Sequence, residues 1–139
     1  MRLLLVPTLI ASLAAASPAS AEPKAFACDF NGGSSTTFSN GAFVTKAPAP
    51  VQYVIVDIDL EAQSARLSTG PAGTMGKLRV IRALNANHFL EVVNEGFLNL
   101  TTIYDFDAKA GAHPAIHSRH FGVLGQPVTA QFTGLCRPQ

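Results

Sequence analysis

The sequence predicts an all-β protein, a single small antiparallel meander of about eight strands, arranged as a barrel or a sandwich and closed by one disulfide. Three observations carry that expectation. Short runs of β-branched, aromatic and aliphatic residues alternate with clusters of Gly, Pro, Asn and Asp at regular intervals. Beyond the opening leader, no stretch holds the 3.6-residue apolar period of a helix for long enough to build one. Two cysteines, Cys28 and Cys136, stand near the two ends of the remaining chain.

Residues 1–21 read as a secretory leader. Arg2 precedes an apolar run from Leu3 to Ala16, and the small residues Ala19-Ser20-Ala21 place cleavage after Ala21. The run is interrupted by Pro7 and is shorter than the roughly 20 residues a bilayer-spanning helix needs, so no retained anchor is expected. Residues 22–139 are then a single β domain, periplasmic or secreted. Export places both cysteines where disulfides persist, so Cys28 and Cys136 are expected to pair and to fasten the first strand to the last. On the chain-entropy account such a long loop contributes roughly 4 to 5 kcal/mol. The polar break Glu22-Pro23-Lys24 separates Cys28 from the leader's apolar run, unlike a lipid-bearing cysteine.

The elements follow in order. A first run, Phe26 to Phe30, leads into a segment rich in Gly, Ser, Thr and Asn. With Pro48 and Pro50 unable to donate to a ladder, residues 31–50 are expected to form an irregular connection or an edge hairpin. Val51 to Leu60 is the strongest strand, with Val54, Val56, Ile58 and Leu60 on one face and Tyr53, Ile55, Asp57 and Asp59 on the other. A turn at Glu61-Ala62-Gln63 joins it to Ser64–Ser68, and Gly70 to Gly73 then breaks the chain.

Three further runs, Lys77 to Leu84, His88 to Val93 and Phe97 to Tyr104, are separated by short Asn-containing joints that favour antiparallel neighbours. In the third, Leu98 and Leu100 are expected to face inward. A loop from Asp105 to Pro114 precedes Ala115 to Val123 and, after Gly125, Pro127 to Cys136.

Charge and motifs exclude more than they assign. Ten basic and nine acidic residues, with Arg2 in the leader, leave residues 22–139 formally neutral, with no electrostatic address for nucleic acid or anionic lipid. Insertion of the mature chain into a membrane is not expected. The densest chemistry is His113-Pro114-Ala115-Ile116-His117-Ser118-Arg119-His120, which makes His113, His117, Arg119 and His120 the candidate binding surface. On a strand His117 and Arg119 share one face while Ser118 and His120 share the other, so His117 and His120 cannot chelate one ion without a bulge. Neither does Ser118 form a triad with its neighbours, for there is no Gly-x-Ser-x-Gly elbow. The plain reading of the segment is polar residues on the wet face of a late strand.

The pairs Asp57 with Asp59 and Asp105 with Asp107 could serve acid-base chemistry or calcium, but each also suits a solvated face. Lys77, Arg79 and Arg82 are expected to pair with Asp57, Asp59 or Glu91 across neighbouring strands. Asn99-Leu100-Thr101 matches a glycosylation triplet, against which its strand position argues. No catalytic residue, cofactor or metal site is assigned.

The layout resembles small, mostly uncharacterised exported β-proteins of Gram-negative bacteria, through Phe26-Ala27-Cys28, the closing Thr133-Gly134-Leu135-Cys136, and His117-Ser118-Arg119-His120 followed by Gly125-Gln126-Pro127-Val128. More distantly, in size, export and disulfide-closed architecture, it is similar to periplasmic inhibitors of c-type lysozyme, which are eight-stranded barrels. Those carry a Ser-Gly-x-x-Tyr type motif, whereas this sequence contains no Ser-Gly dipeptide, so no inhibitory residue carries over. The absence of a catalytic constellation, with loops such as 31–50 and 105–114 on a disulfide-stapled scaffold, predicts a non-enzymatic binding or protective module of the envelope that contacts a protein or cell-wall partner. Two alternatives stand beside it. One is a carrier of a small apolar ligand lined by Phe89, Phe97, Phe121 and Phe132; the other is an enzyme built on His113, His117 or His120.

Overall fold

The computed structural model describes residues 22–68, 75–93, 96–123 and 125–139. The leader and the Gly70 to Gly73 break lie outside the described residues. Nine strands form one antiparallel sheet: β1 (Phe26–Ser39), β2 (Ala42–Lys46), β3 (Val51–Asp59), β4 (Ser64–Ser68), β5 (Met75–Ala83), β6 (Ala86–Val93), β7 (Phe97–Tyr104), β8 (His113–Val123) and β9 (Gln126–Pro138). From β3 onward each strand pairs with the next, and β9 returns to pair with β1, so the sheet closes into a ring. The architecture is a barrel rather than a sandwich. No described helix is long and apolar enough to cross a membrane.

The ring has eight members because β2 and β3 lie end to end along the same side of β1. Ser35 to Ser39 pair with β2, and Phe26 to Phe30 pair with β3. Pro48 and Pro50 fall in the gap between the two strands, where a ladder would require N–H groups that they lack. Of the two expectations for residues 31–50, an irregular connection or an edge hairpin, the hairpin is the one present, turning at Asn40 (φ 51°) and Gly41 (φ 78°), both left-handed as a tight hairpin turn demands. Its first arm is longer than composition suggests, since β1 stays paired with β9 from Phe26 to Thr37 across a bulge between Phe30 and Gly32. On either side of that bulge the two backbones approach too closely for side chains at two glycines. A Cβ on Gly33 would overlap the Gln131 carbonyl, and one on Gly134 would overlap the Asp29 carbonyl.

Cys28 and Cys136 are register partners on β1 and β9 and form the disulfide, fastening the strands that close the ring. Around it the inner wall is apolar, built on Phe26, Phe30, Ile55, Val80, Phe89 and Ile103, which are almost fully buried. The small bore of an eight-stranded barrel is filled by such side chains.

Two expected faces are reversed. On β3 the core residues are Tyr53 and Ile55, not Val54 and Val56, and Ile58 is also buried. Asp57, at φ 53°, lies in an irregularity between Val56 and Asp59 that inserts a residue and switches the alternation. On β7 Leu98 and Leu100 face outward, 45% and 38% exposed, while Asn99, Thr101 and Ile103 are buried. Closure sets that parity: Thr101 sits opposite Phe89 on β6 and His117 on β8, both inside. Polar side chains point inward because they meet partners there.

Candidate binding cleft at one end of the barrel

One end of the barrel gathers the start of β1, the β5–β6 hairpin, the end of β7, the start of β8 and the end of β9. These elements enclose a cleft of about 590 Å³, whose wall includes Phe26, Arg82, Asn87, Asp105, Phe106 and His113. The size is in the range of ligand pockets, roughly 300–1,000 Å³. Arg82 and Asn87 are inward positions on β5 and β6, in step with Val80 and Phe89.

The segment between β7 and β8 is pinned rather than loose. The Asp107 N–H donates to the Ala112 carbonyl at 3.0 Å, the Gly111 N–H donates to the Asp107 carbonyl at 2.9 Å, and the Asp107 carboxylate accepts from the Ala110 N–H at 2.7 Å. A further bond, from the Asp105 N–H to the Asn85 carbonyl at 2.9 Å, ties this segment to the β5–β6 turn. Phe106 is held on the lip in consequence, 59% exposed.

His113 is fixed from three sides. Its Nδ1 lies 2.8 Å from the Tyr104 carbonyl, which can only accept, so Nδ1 carries the proton. The ring meets Phe26 edge-on with centroids 5.0 Å apart and Phe106 at 5.5 Å. Arg82 Nη2 donates to Asp105 Oδ1 at 2.9 Å. At the cleft wall Asn87 is 5% exposed, and its Oδ1 has no hydrogen-bond partner.

His117 and Arg119 occupy a different place, the polar half of the barrel interior. His117, 1% exposed, stands among Tyr53, Phe30 and Phe132 with ring centroids 4.6, 5.8 and 5.7 Å away. Its Nδ1 shares a 2.8 Å hydrogen bond with the Thr101 hydroxyl, and its Nε2 has no partner. Burial, with the Arg119 guanidinium adding to it, lowers the His117 pKa to about 4, so the ring is neutral at pH 7. Arg119 donates to the Tyr53 hydroxyl and lies 5.9 Å from the centre of the Phe132 ring. Burial raises the Tyr53 pKa, opposed by Arg119 and reinforced by Glu91. The Glu91 carboxylate accepts from Asn99 Nδ2 at 2.7 Å and occupies the space that a side chain on Gly76 would fill.

The four residues of the expected binding surface therefore do not form one surface. His113 lines the cleft, His117 and Arg119 lie inside the barrel, and His120 is exposed on the outer wall opposite Leu98. The wet-face reading fails for His117, because the strand parity that puts it beside Arg119 also puts both inside. No three of His, Cys, Asp and Glu converge as a metal site among the described residues.

The other candidates have local duties. Asp57 pairs with Arg66, and Asp59 accepts from the Ala62 N–H at 2.8 Å. Arg82 pairs with Asp105 instead of with Asp57, Asp59 or Glu91, and Arg79 reaches Gln63. Asn99 is buried against Glu91, which leaves the triplet asparagine turned away from any glycosylating enzyme. Of the four candidate pocket aromatics, Phe89 and Phe132 are buried, while Phe97 and Phe121 stack on each other with centroids 5.3 Å apart.

Phe106 falls in the 105–114 loop expected to contact a partner, whereas Asn87 was missed as a cleft residue, and no local signal could have found it because strand pairing alone brings it there. Comparison with protein-family models, with curated proteins and with solved structures returns no match.

Proposed function

We propose that the chain is a non-enzymatic binding module of the cell envelope, and that it meets its protein or cell-wall partner with the cleft end of the barrel. The observation that carries the reading is a pinned cleft of about 590 Å³ that combines exposed Phe106 with a buried, unpartnered Asn87 carbonyl. A rigid scaffold carrying partly apolar, partly polar concavity is the form of a recognition site. The Cys28–Cys136 disulfide supports an oxidising compartment, and with the leader it supports periplasmic or secreted residence. Against an apolar-ligand carrier stands the interior itself, packed near the disulfide and polar around His117.

The test is site-specific photocrosslinking in the native envelope. A crosslinker at Phe106 is expected to give one dominant adduct, and the same group at outer-wall Leu100 none. Equal labelling from both positions, or labelling from neither, overturns the assignment of the cleft end.

A further inference from the structure

We propose that His117 is a proton-operated anchor: as a neutral ring it holds the later part of β8 to the barrel interior, and on protonation it releases that part, opening the wall locally while the strands joined by the disulfide stay closed. The device operates whatever partner the cleft end meets.

The burial pattern of β8 makes this histidine the anchor. Over residues 116–122 His117 is the sole buried residue; Ser118 and Arg119 are half-buried, and His120 and Gly122 are exposed. Apart from His117, ladder bonds and half-buried side chains hold this stretch, and segments with few buried contacts open more readily than the fold as a whole. Earlier on the same strand Ala115 is buried, and His113 is the register partner of Cys136, which the disulfide ties to β1. Opening is thereby confined to the part of β8 beyond Ala115.

The site fits a neutral ring and has no place for an imidazolium. His117 is 1% exposed and packs against Phe30 from β1, Tyr53 from β3 and Phe132 from β9. The Thr101 hydroxyl on β7 meets Nδ1 at 2.8 Å, and Nε2 has no partner. An imidazolium donates from both nitrogens, so in the charged ring Nε2–H is a buried donor without an acceptor. Tyr53 and Arg119 are the titratable and charged groups that face it. Arg119 repels the imidazolium, and burial keeps the Tyr53 phenol protonated. On β6 the Glu91 carboxylate is engaged by Asn99 Nδ2 at 2.7 Å, and no ion pair among the described residues includes His117. Release gives Nε2–H to water and moves both cations into a medium that screens them.

Linkage sets the size and sign of the response. The folded pKa of about 4 lies below the ordinary 6.5, a difference of about 2.5, so protons favour the open wall by up to about 300-fold. The bias is small at pH 7, grows as pH falls below 6.5 and is complete below about 4.

The test is hydrogen exchange followed by NMR on the isotope-labelled, oxidised protein between pH 7 and about 4, with the His117 ring shifts read in the same samples. The ring is expected to titrate near pH 4, and the protection factors of the Ser118, Arg119 and His120 amides to fall by up to about 300-fold over the interval. At its acid end these amides are expected to stay less protected than those of Cys28, Ile103 and Cys136. His117→Leu is expected to abolish the fall, and His120→Gln on the outer face of the same strand to leave it in place. A ring midpoint near 6.5, or protection that does not change, overturns the anchor in the unaltered protein, whether or not the leucine variant folds. Equal protection of both sets of amides at the acid end marks global unfolding and overturns the local opening. A fall that persists in a folded His117→Leu variant belongs to another group and overturns the assignment to His117.

Discussion

The two halves of the barrel interior are built on opposite principles. One part of the interior is hydrocarbon: Phe26, Ile55, Val80, Phe89 and Ile103 join Cys28 and Cys136 in one buried cluster. The other is a set of paired polar groups, Thr101 with His117, Asn99 with Glu91, and Arg119 with Tyr53, the last of which is the register partner of Cys28. The first half gains stability in proportion to the apolar area it removes from water. The second gains little per bond, because each bond replaces one made to water, yet it loses heavily if one partner is removed. Stability therefore resides chiefly in the disulfide half, and conditional behaviour in the polar half.

The largest effect that would break this contrast is expected from the apolar half. Phe89→Ala is expected to cost about 3–5 kcal/mol by removing a buried ring and leaving a cavity. Replacing both Cys28 and Cys136 by serine is expected to cost about 4 to 5 kcal/mol, since the disulfide closes a loop of sequence separation 108. Chemical denaturation measures both. Losses under about 1 kcal/mol from either change would show that the two halves contribute alike.

The polar half should announce itself through pH. His117 has a pKa of about 4 when folded, against 6.5 for the free side chain, so the unfolded chain binds its proton more readily. Stability from this group is complete above pH 6.5, falls as pH drops through the interval, and is lost below about 4. The span amounts to about 3 kcal/mol. His117→Leu is expected to flatten that part of the stability profile. An unchanged slope in the variant would assign the acid sensitivity elsewhere.

Thr101→Val sharpens the contrast at a single bond. It leaves a buried imidazole nitrogen without its hydroxyl and is expected to cost about 1–3 kcal/mol. By comparison, Leu98→Ser on the outer wall is expected to shift the denaturation midpoint by no more than about 0.5 kcal/mol. The sign is reversed at the hairpin tip: Leu84→Asn relieves a left-handed leucine and is expected to stabilise by a few tenths of a kcal/mol, about the smallest effect of the series.

What was legible and what was not divides along the same line. Strand identities were readable where alternation met turn residues, as at Ser64–Ser68 and Phe97–Tyr104, whose limits agree with β4 and β7. Inward faces were harder, because apolar character was taken as the guide to the inside. On β7 the apolar set, Leu98 and Leu100, faces out, and the polar set faces in to partners contributed by β6 and β8. The candidate site suffered from the same locality. His113 was found because histidines cluster in sequence, whereas Asn87 and Phe106 join it only through strand pairing and the Asp105 to Asn85 bond.

By itself the sequence determined the all-β fold class, a strand count of about eight against the nine observed, and the cysteine pair, because strand propensity, turn chemistry and the presence of just two cysteines are properties of short segments and of residue types. Tertiary structure alone decided closure into a barrel, the bulges that reverse faces on β1 and β3, and the splitting of His113 from His117 and Arg119. Those outcomes depend on contacts between residues distant in the chain, such as Phe26 with Pro138 and Thr101 with His117, which no local pattern encodes.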